Sequence, residues 1–197
     1  MKVKQIMASA ARLCGRQDIA EYLERGLTED LSAAEREAET LLKCYNLAEN
    51  EIALDYLPLE NAETVGSDGK ISLRALAFPP VEILAVRGES GEKLPFTVGA
   101  ECIRVREGKV RVYYSYRPRV KKIADEAESN SRAGERVLAL GTACEYALMS
   151  GMFDAATLLD RRYRDAHACA CRERGGRLKM RRWARRSCRK VQFPRRR

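Results

Sequence analysis

The segment from Ser131 to Cys171, SRAGERVLALGTACEYALMSGMFDAATLLDRRYRDAHACAC, constrains the fold more than any other stretch of this chain. Val137, Leu140, Cys144, Ala147 and Leu148 recur at spacings of three and four, which places them on one face of a helix. Gly141 and Ala143 keep that helix thin enough for close packing against a neighbour. Ser150-Gly151 supplies a stop, because glycine enters the left-handed conformation without a Cβ clash. Asp154 stands where an N-cap is wanted, with Phe153 before it as a hydrophobic staple. The next helix carries Leu159, Tyr163, Ala166 and Ala170 on its buried face and Asp160, Arg161, Arg164 and Asp165 on another. The spacing predicts an αα-hairpin.

The start of the chain is also helical in pattern. Ile6, Met7, Ala10 and Leu13 form one run, Gly15 breaks it, and Ile19, Tyr22 and Leu23 form another that ends at Gly26. Thr28 is the expected N-cap of a longer helix, with Glu29 and Asp30 in its first turn, where the macrodipole favours acids. Leu31, Ala34, Ala38, Leu41, Leu42 and Tyr45 are its apolar positions. The stretch Ile52–Leu59 reads as either more helix or an edge strand limited by Pro58.

Strand signals fill the middle. Gly66-Ser67-Asp68-Gly69 is turn chemistry between two short runs. Val81–Val86 is an apolar strand introduced by Pro79-Pro80, and Gly88-Glu89-Ser90-Gly91 turns it into Lys93–Val98. A hairpin is expected next. Ile103 and Val105 alternate with arginines, Glu107-Gly108 turns, and Val110, Val112, Tyr114 and Tyr116 alternate again before Pro118 closes the sheet. The expected class is therefore α+β: a helical bundle with an inserted small antiparallel β domain and a basic C-terminal tail. The divisions read as N-terminal helices over 1–51, a β subdomain over 52–118, the helical hairpin over 119–174 and the tail over 175–197.

A chain of 197 residues, 45% hydrophobic and 33% charged, can bury a real core. No apolar run approaches the ~18 residues a membrane helix needs. The opening MKVKQIMASAARLC is not expected to act as a secretory signal, since Arg12 and Cys14 interrupt it. Its seven cysteines are odd in number and dispersed, and read as reduced, mostly buried thiols. His167, Cys169 and Cys171 form an H-x-C-x-C string. On a helix, however, residue i+2 points away from i and i+4, and a fourth ligand is missing, so no metal site is expected. Acid pairs such as Glu35/Glu39 read as a solvated helix face. With one histidine and no phosphate loop or nucleophile elbow, the chain is expected to be no enzyme and to need no cofactor.

The charge is uneven. From Arg172 to Arg197 there are thirteen Lys/Arg and one acid, a net of +12. The rest of the chain holds 24 basic and 27 acidic residues, a net of −3. A mildly acidic body thus carries a strongly basic tail. Arg177, Lys179, Arg181, Arg182, Arg185 and Arg186 surround Trp183 in that tail; Arg189, Lys190, Arg195, Arg196 and Arg197 surround Phe193. Such a pattern binds phosphates or an acidic protein surface, with the two aromatics as anchors.

The order of helices, small β domain and helical hairpin resembles the head–tail connector adaptors of tailed phages, including the tubular tail protein A type. The stretches that carry the likeness are LLKCYNLAENEIALDYLPL, FPPVEILAVRGESGEKLPF, KVRVYYSYRP and ALGTACEYALMSGMFDAATLLDRRYRDA, and it spans about residues 1–171. The resemblance implies a virion structural protein, assembled in the host cytoplasm, with no catalytic step. Such adaptors form a ring, typically twelvefold, below the portal protein and above a tail or stopper component, extending the DNA channel. In several of them the C-terminal segment docks on the portal, a role that would fall here on Arg177 to Arg197. Subunit packing would fall on Val137, Leu140, Cys144, Leu148, Leu159 and Tyr163. The alternative is a nucleic-acid-binding protein whose tail clamps phosphates, and neither reading involves a membrane.

Overall fold

The computed structural model describes residues 1–26 and 30–172, which form an α+β fold of five helices and two antiparallel sheets. The helices are α1 (Val3–Leu13), α2 (Gln17–Arg25), α3 (Leu31–Glu51), α4 (Glu135–Met149) and α5 (Phe153–Arg172). The strands are β1 (Leu59–Ser67), β2 (Lys70–Ser72), β3 (Pro80–Gly88), β4 (Lys93–Leu94), β5 (Thr97–Val98), β6 (Cys102–Arg104) and β7 (Gly108–Tyr116). Among the described residues no helix is long and apolar enough to cross a membrane.

All five helices contribute to one apolar core, and α4 is its centre. Leu138, Leu140, Ala143, Tyr146 and Ala147 of α4 are at most 1% exposed. They meet Ile6, Met7 and Ala10 of α1, Leu41 and Tyr45 of α3, and Leu159 and Tyr163 of α5 in the same core. Gly141 sets how close the helices come. A Cβ built there would lie 3.1 Å from a ring carbon of Tyr163 and 3.2 Å from the Ala48 methyl. Thr142, a polar side chain buried within this stretch of α4, is satisfied by donating to the Leu138 carbonyl at 2.8 Å.

Several details depart from the sequence expectation. The first is the start of α3. Its cap is Asp30, whose Oδ1 accepts from the Ala33 amide at 3.0 Å, while the expected cap Thr28 lies outside the described residues. Leu31 and Leu148, expected on buried faces, are 56% and 46% exposed. The second is Asp154, which sits in the first turn of α5 and does not cap it. The chain turns back through Gly151 (φ 72°), and the Met152 carbonyl already accepts from the Ala156 amide at 2.9 Å. Phe153 therefore begins the helix with its ring 68% exposed and staples nothing.

Ile52–Tyr56 is not a strand but a π-helical turn that continues α3, closed by the Leu57 amide on the Ile52 carbonyl at 2.7 Å. The turn brings Ile52, Ala53 and Leu57 inward, each 5% exposed or less, and that burial outweighs the strand propensity of the β-branched Ile52. Strands consequently begin at Leu59.

The β residues form a four-stranded sheet in the order β1-β7-β3-β4 and a three-stranded sheet in the order β2-β6-β5. Between them lies a second core. Val86, Val110, Val112 and Tyr114 come from the larger sheet and Ile71 and Ile103 from the smaller. The expected hairpin between Ile103 and Tyr116 does not form. β6 pairs with β2 and β5, while β7 lies between β1 and β3, with Val65 opposite Val110 and Val86 opposite Val112. The alternation in both segments is real, but it faces them across the core from different sheets. Long ladders on both flanks of β7 outweigh the local turn chemistry of Glu107-Gly108. Nor is Lys93–Val98 one strand. Pro95 offers no amide to a ladder, and β4 and β5 on either side of it join different sheets.

Replacing Gly141 by valine should destabilise the chain by about 1–3 kcal/mol, because branched carbon must enter a contact already near the van der Waals limit. Alanine there should lie within about 1 kcal/mol of wild type, since its helix propensity offsets the tighter contact. Urea unfolding of both variants checks this, and a valine variant as stable as wild type would contradict close packing at this crossing.

Candidate functional site

The tail residues Arg177 to Arg197, with Trp183 and Phe193, lie outside the described residues. The six side chains expected at subunit contacts fall in two places. Val137, Leu140, Cys144, Leu159 and Tyr163 are 8% exposed or less and sit in the chain's own helical core. Leu148 is at the surface.

Leu148 belongs to an apolar surface at the α4–α5 turn. Met149 is 56% exposed and Phe153 68% exposed, so three large apolar side chains flank the turn at Ser150 to Met152. Met149 is anchored from below, its sulfur 3.3 Å from the thiol of Cys44 on α3. Beside this surface is a cleft of ≈ 390 Å³ that Leu148 and Phe153 line together with Glu51, Glu145, Asp160 and Arg164. Arg164 reaches Asp160 at 2.8 Å, whereas Glu51 and Glu145 in the cleft's wall form no ion pair within 4.0 Å among the described residues. Burial, then the charges of Glu145, Asp55 and Asp160, hold the Glu51 carboxyl above its usual range. An apolar rim thus lies beside an acidic wall.

The cysteines divide by environment. Burial pushes the thiols of Cys14 and Cys144 up to about 11 and that of Cys44 to about 12, which favours the thiol over the thiolate near pH 7. Not every thiol is hidden, as the apolar patterns suggested. Cys169 is exposed, because α5 turns this position away from the core side that holds Ala166 and Ala170. His167 and Cys171 share a face, with the thiol 3.8 Å from Nε2. The imidazole lies 4.2 Å, centroid to centroid, from the Tyr56 ring, and burial lowers its pKa so that it is neutral near pH 7. Among the described residues no three His, Cys, Asp or Glu side chains gather at metal-binding distance.

Two polar knots were not legible as such in the sequence. Arg16 places one guanidinium nitrogen 2.9 Å from the Tyr146 hydroxyl and another 2.9 Å from Asp18, and Tyr146 donates to Glu37 at 2.6 Å. These bonds tie the start of α2 to α3 and α4. The second knot joins α3 to the segment that returns from the sheets. Asn46 accepts from the Lys121 amide at 2.6 Å and donates to the Lys121 carbonyl at 3.1 Å. Lys121 Nζ pairs with Glu128 at 2.7 Å, and the Glu128 amide donates to Glu49 at 2.7 Å. Glu49 also accepts from the Tyr45 hydroxyl at 2.7 Å and is 2% exposed, and burial raises its pKa. The one sequence signal was Glu49 four residues after Tyr45 on an apolar face.

No protein-family model matches this sequence, and no curated protein matches it.

Glu49→Gln keeps an acceptor for Tyr45 and Glu128 while removing the charge. Folding binds the Glu49 proton more tightly, so the stability this group contributes is complete below the ordinary carboxyl range and is lost as pH rises through its raised value. Wild type should therefore lose ground to Glu49→Gln over the range of rising pH that begins at the ordinary carboxyl value of about 4. Urea melts across that range check it, and parallel pH profiles for the two proteins would contradict a raised Glu49.

Proposed function

We propose that this chain is a virion structural protein of a phage or prophage, a head–tail connector adaptor whose copies form a ring below the portal. On this reading the helices act as one bundle, with the hairpin of α4 and α5 meeting the neighbouring subunit and the β part directed to the next component of the tail. The observation that carries the reading is the apolar surface of Leu148, Met149 and Phe153 beside the acidic cleft. Exposed apolar side chains clustered at one turn, rimmed by charge, fit a protein interface better than solvent. The basic tail supports a second contact, docking on the portal or lining the DNA channel, and a ring would multiply that contact by avidity. The tail's net charge of +12 also favours a second reading, a nucleic-acid-binding protein that clamps phosphates through Arg177 to Arg197.

Leu148→Glu combined with Phe153→Ser should turn an oligomer into a monomer in native mass spectrometry while the far-UV circular dichroism stays unchanged, since both side chains are surface-exposed. An oligomer unaffected by the pair would remove this surface from the interface. Deleting residues 172–197 should leave a folded body that no longer joins portal-containing particles, and normal incorporation of the truncated chain would overturn the docking role.

A further inference from the structure

The outer face of the larger sheet carries a feature that the connector reading does not use. The pairing register sets Lys93 of β4 opposite Arg87 of β3, and Arg87 opposite Arg111 of β7. Three cations thus stand side by side across three adjacent strands. Lys109, two residues before Arg111 on β7, extends the same face, and all four are exposed. Their neighbours Val86, Val110 and Val112 point the other way, into the core, and are 2% exposed or less. Like charges directly opposite one another weaken a sheet. Here none of the four makes an ion pair within 4.0 Å among the described residues. Acids do sit in the turn between β3 and β4, but Glu92 there takes the Ser90 hydroxyl.

The arginines are also held in place. Arg87 and Arg111 flank the Tyr113 ring, their guanidinium carbons 5.7 Å and 5.5 Å from its centroid. Arg87 donates in addition to the Gly91 carbonyl at 3.3 Å. Tyr113 lies opposite Ala62 of β1 and Ala85 of β3, small residues that leave its ring room on the face. Ring contact fixes the two long side chains before any ligand arrives, which lowers the ordering cost of binding.

We infer that this face binds the phosphate backbone of duplex DNA, at a site separate from the C-terminal tail. Three neighbouring strands set about 4.8 Å apart present the cations over roughly 10 Å, a span that covers successive phosphates of one backbone. A duplex is favoured over a single strand because Tyr113 already has a guanidinium on it and is not free to stack a base. Cations that meet phosphates fix position and carry no sequence information, so the binding is independent of base sequence. The site stands whether or not the chain is a connector subunit.

The test uses the full chain and a 30-base-pair duplex, with binding followed by fluorescence anisotropy from about 50 to 200 mM salt. Replacing Arg87, Lys93 and Arg111 together by glutamine should weaken binding and make the salt dependence shallower by about 3 in the log–log slope, at about 0.9 for each phosphate no longer neutralised. The variant should melt no lower than wild type, because repulsion has been removed. Acetylation of the wild-type protein gives a second measurement that needs no variant. DNA should protect Lys93 and Lys109 and leave Lys43 on α3 as reactive as before. An unchanged slope, or equal labelling of Lys93 and Lys109 with and without DNA, would overturn the site. Stronger protection of Lys93 and Lys109 by a single strand of the same length than by the duplex, or equal protection by polyglutamate at equal charge, would overturn duplex DNA as the ligand of this face.

Discussion

The helical part of this molecule depends on one close crossing. At Gly141 the backbone of α4 comes near enough to the Ala48 methyl and the Tyr163 ring that a single added carbon would sit at 3.1–3.2 Å from both. Dispersion falls off steeply with separation, so this proximity gives the surrounding side chains their full packing interactions. Ala139, Ala143 and Ala147 keep the rest of α4 slim, and each is 3% exposed or less. A central helix of small residues can be covered by α1, α3 and α5 at once, which a leucine-rich helix of the same length could not.

The β residues form a separate core, and the segment that returns from them is held to the helices by polar chemistry. Asn46 brackets both backbone groups of Lys121, and Glu49 receives the Glu128 amide. Backbone groups of the returning segment are thereby satisfied on α3 where no regular ladder is available, as buried amides require. Farther along, the Val3 amide donates to the Asp125 carbonyl at 3.0 Å and the Ala127 amide to the Met1 carbonyl at 2.8 Å. The route from sheet to α4 is thus pinned at α3 and at the chain's first residues.

How much of this the sequence carried depends on the range of the interaction. Helix faces were readable because three- and four-residue spacing is local, and Ile6, Leu41, Leu140 and Leu159 are all buried where the spacing puts them. Inward positions of strands were readable for the same reason, at Val110, Val112 and Tyr114. Partners of strands were not. Period-two alternation tells which face is buried and says nothing about which strand lies alongside, so β6 and β7 looked like a hairpin and belong to different sheets. The cations of the sheet face were hidden by the same limit, since Arg87 and Arg111 become neighbours only through long-range pairing. At Ile52–Tyr56 a π turn replaced the strand alternative because burial of the side chains, a tertiary effect, decided the backbone.

Apolar surface at one end of the helices, a cationic face on the sheet and a strongly basic C-terminal sequence are three separate features of one chain. A subunit that must touch its own copies, a neighbouring assembly and DNA has a use for each of them, and that is the proposed connector role. The most direct test is quantitative mass spectrometry of density-purified particles from the source, reading the copy number of this chain against the portal and major capsid proteins. The account predicts a fixed copy number close to that of the portal. Absence from the particles, with the chain recovered on nucleic acid in the lysate, would contradict it and leave phosphate binding as the function of the tail.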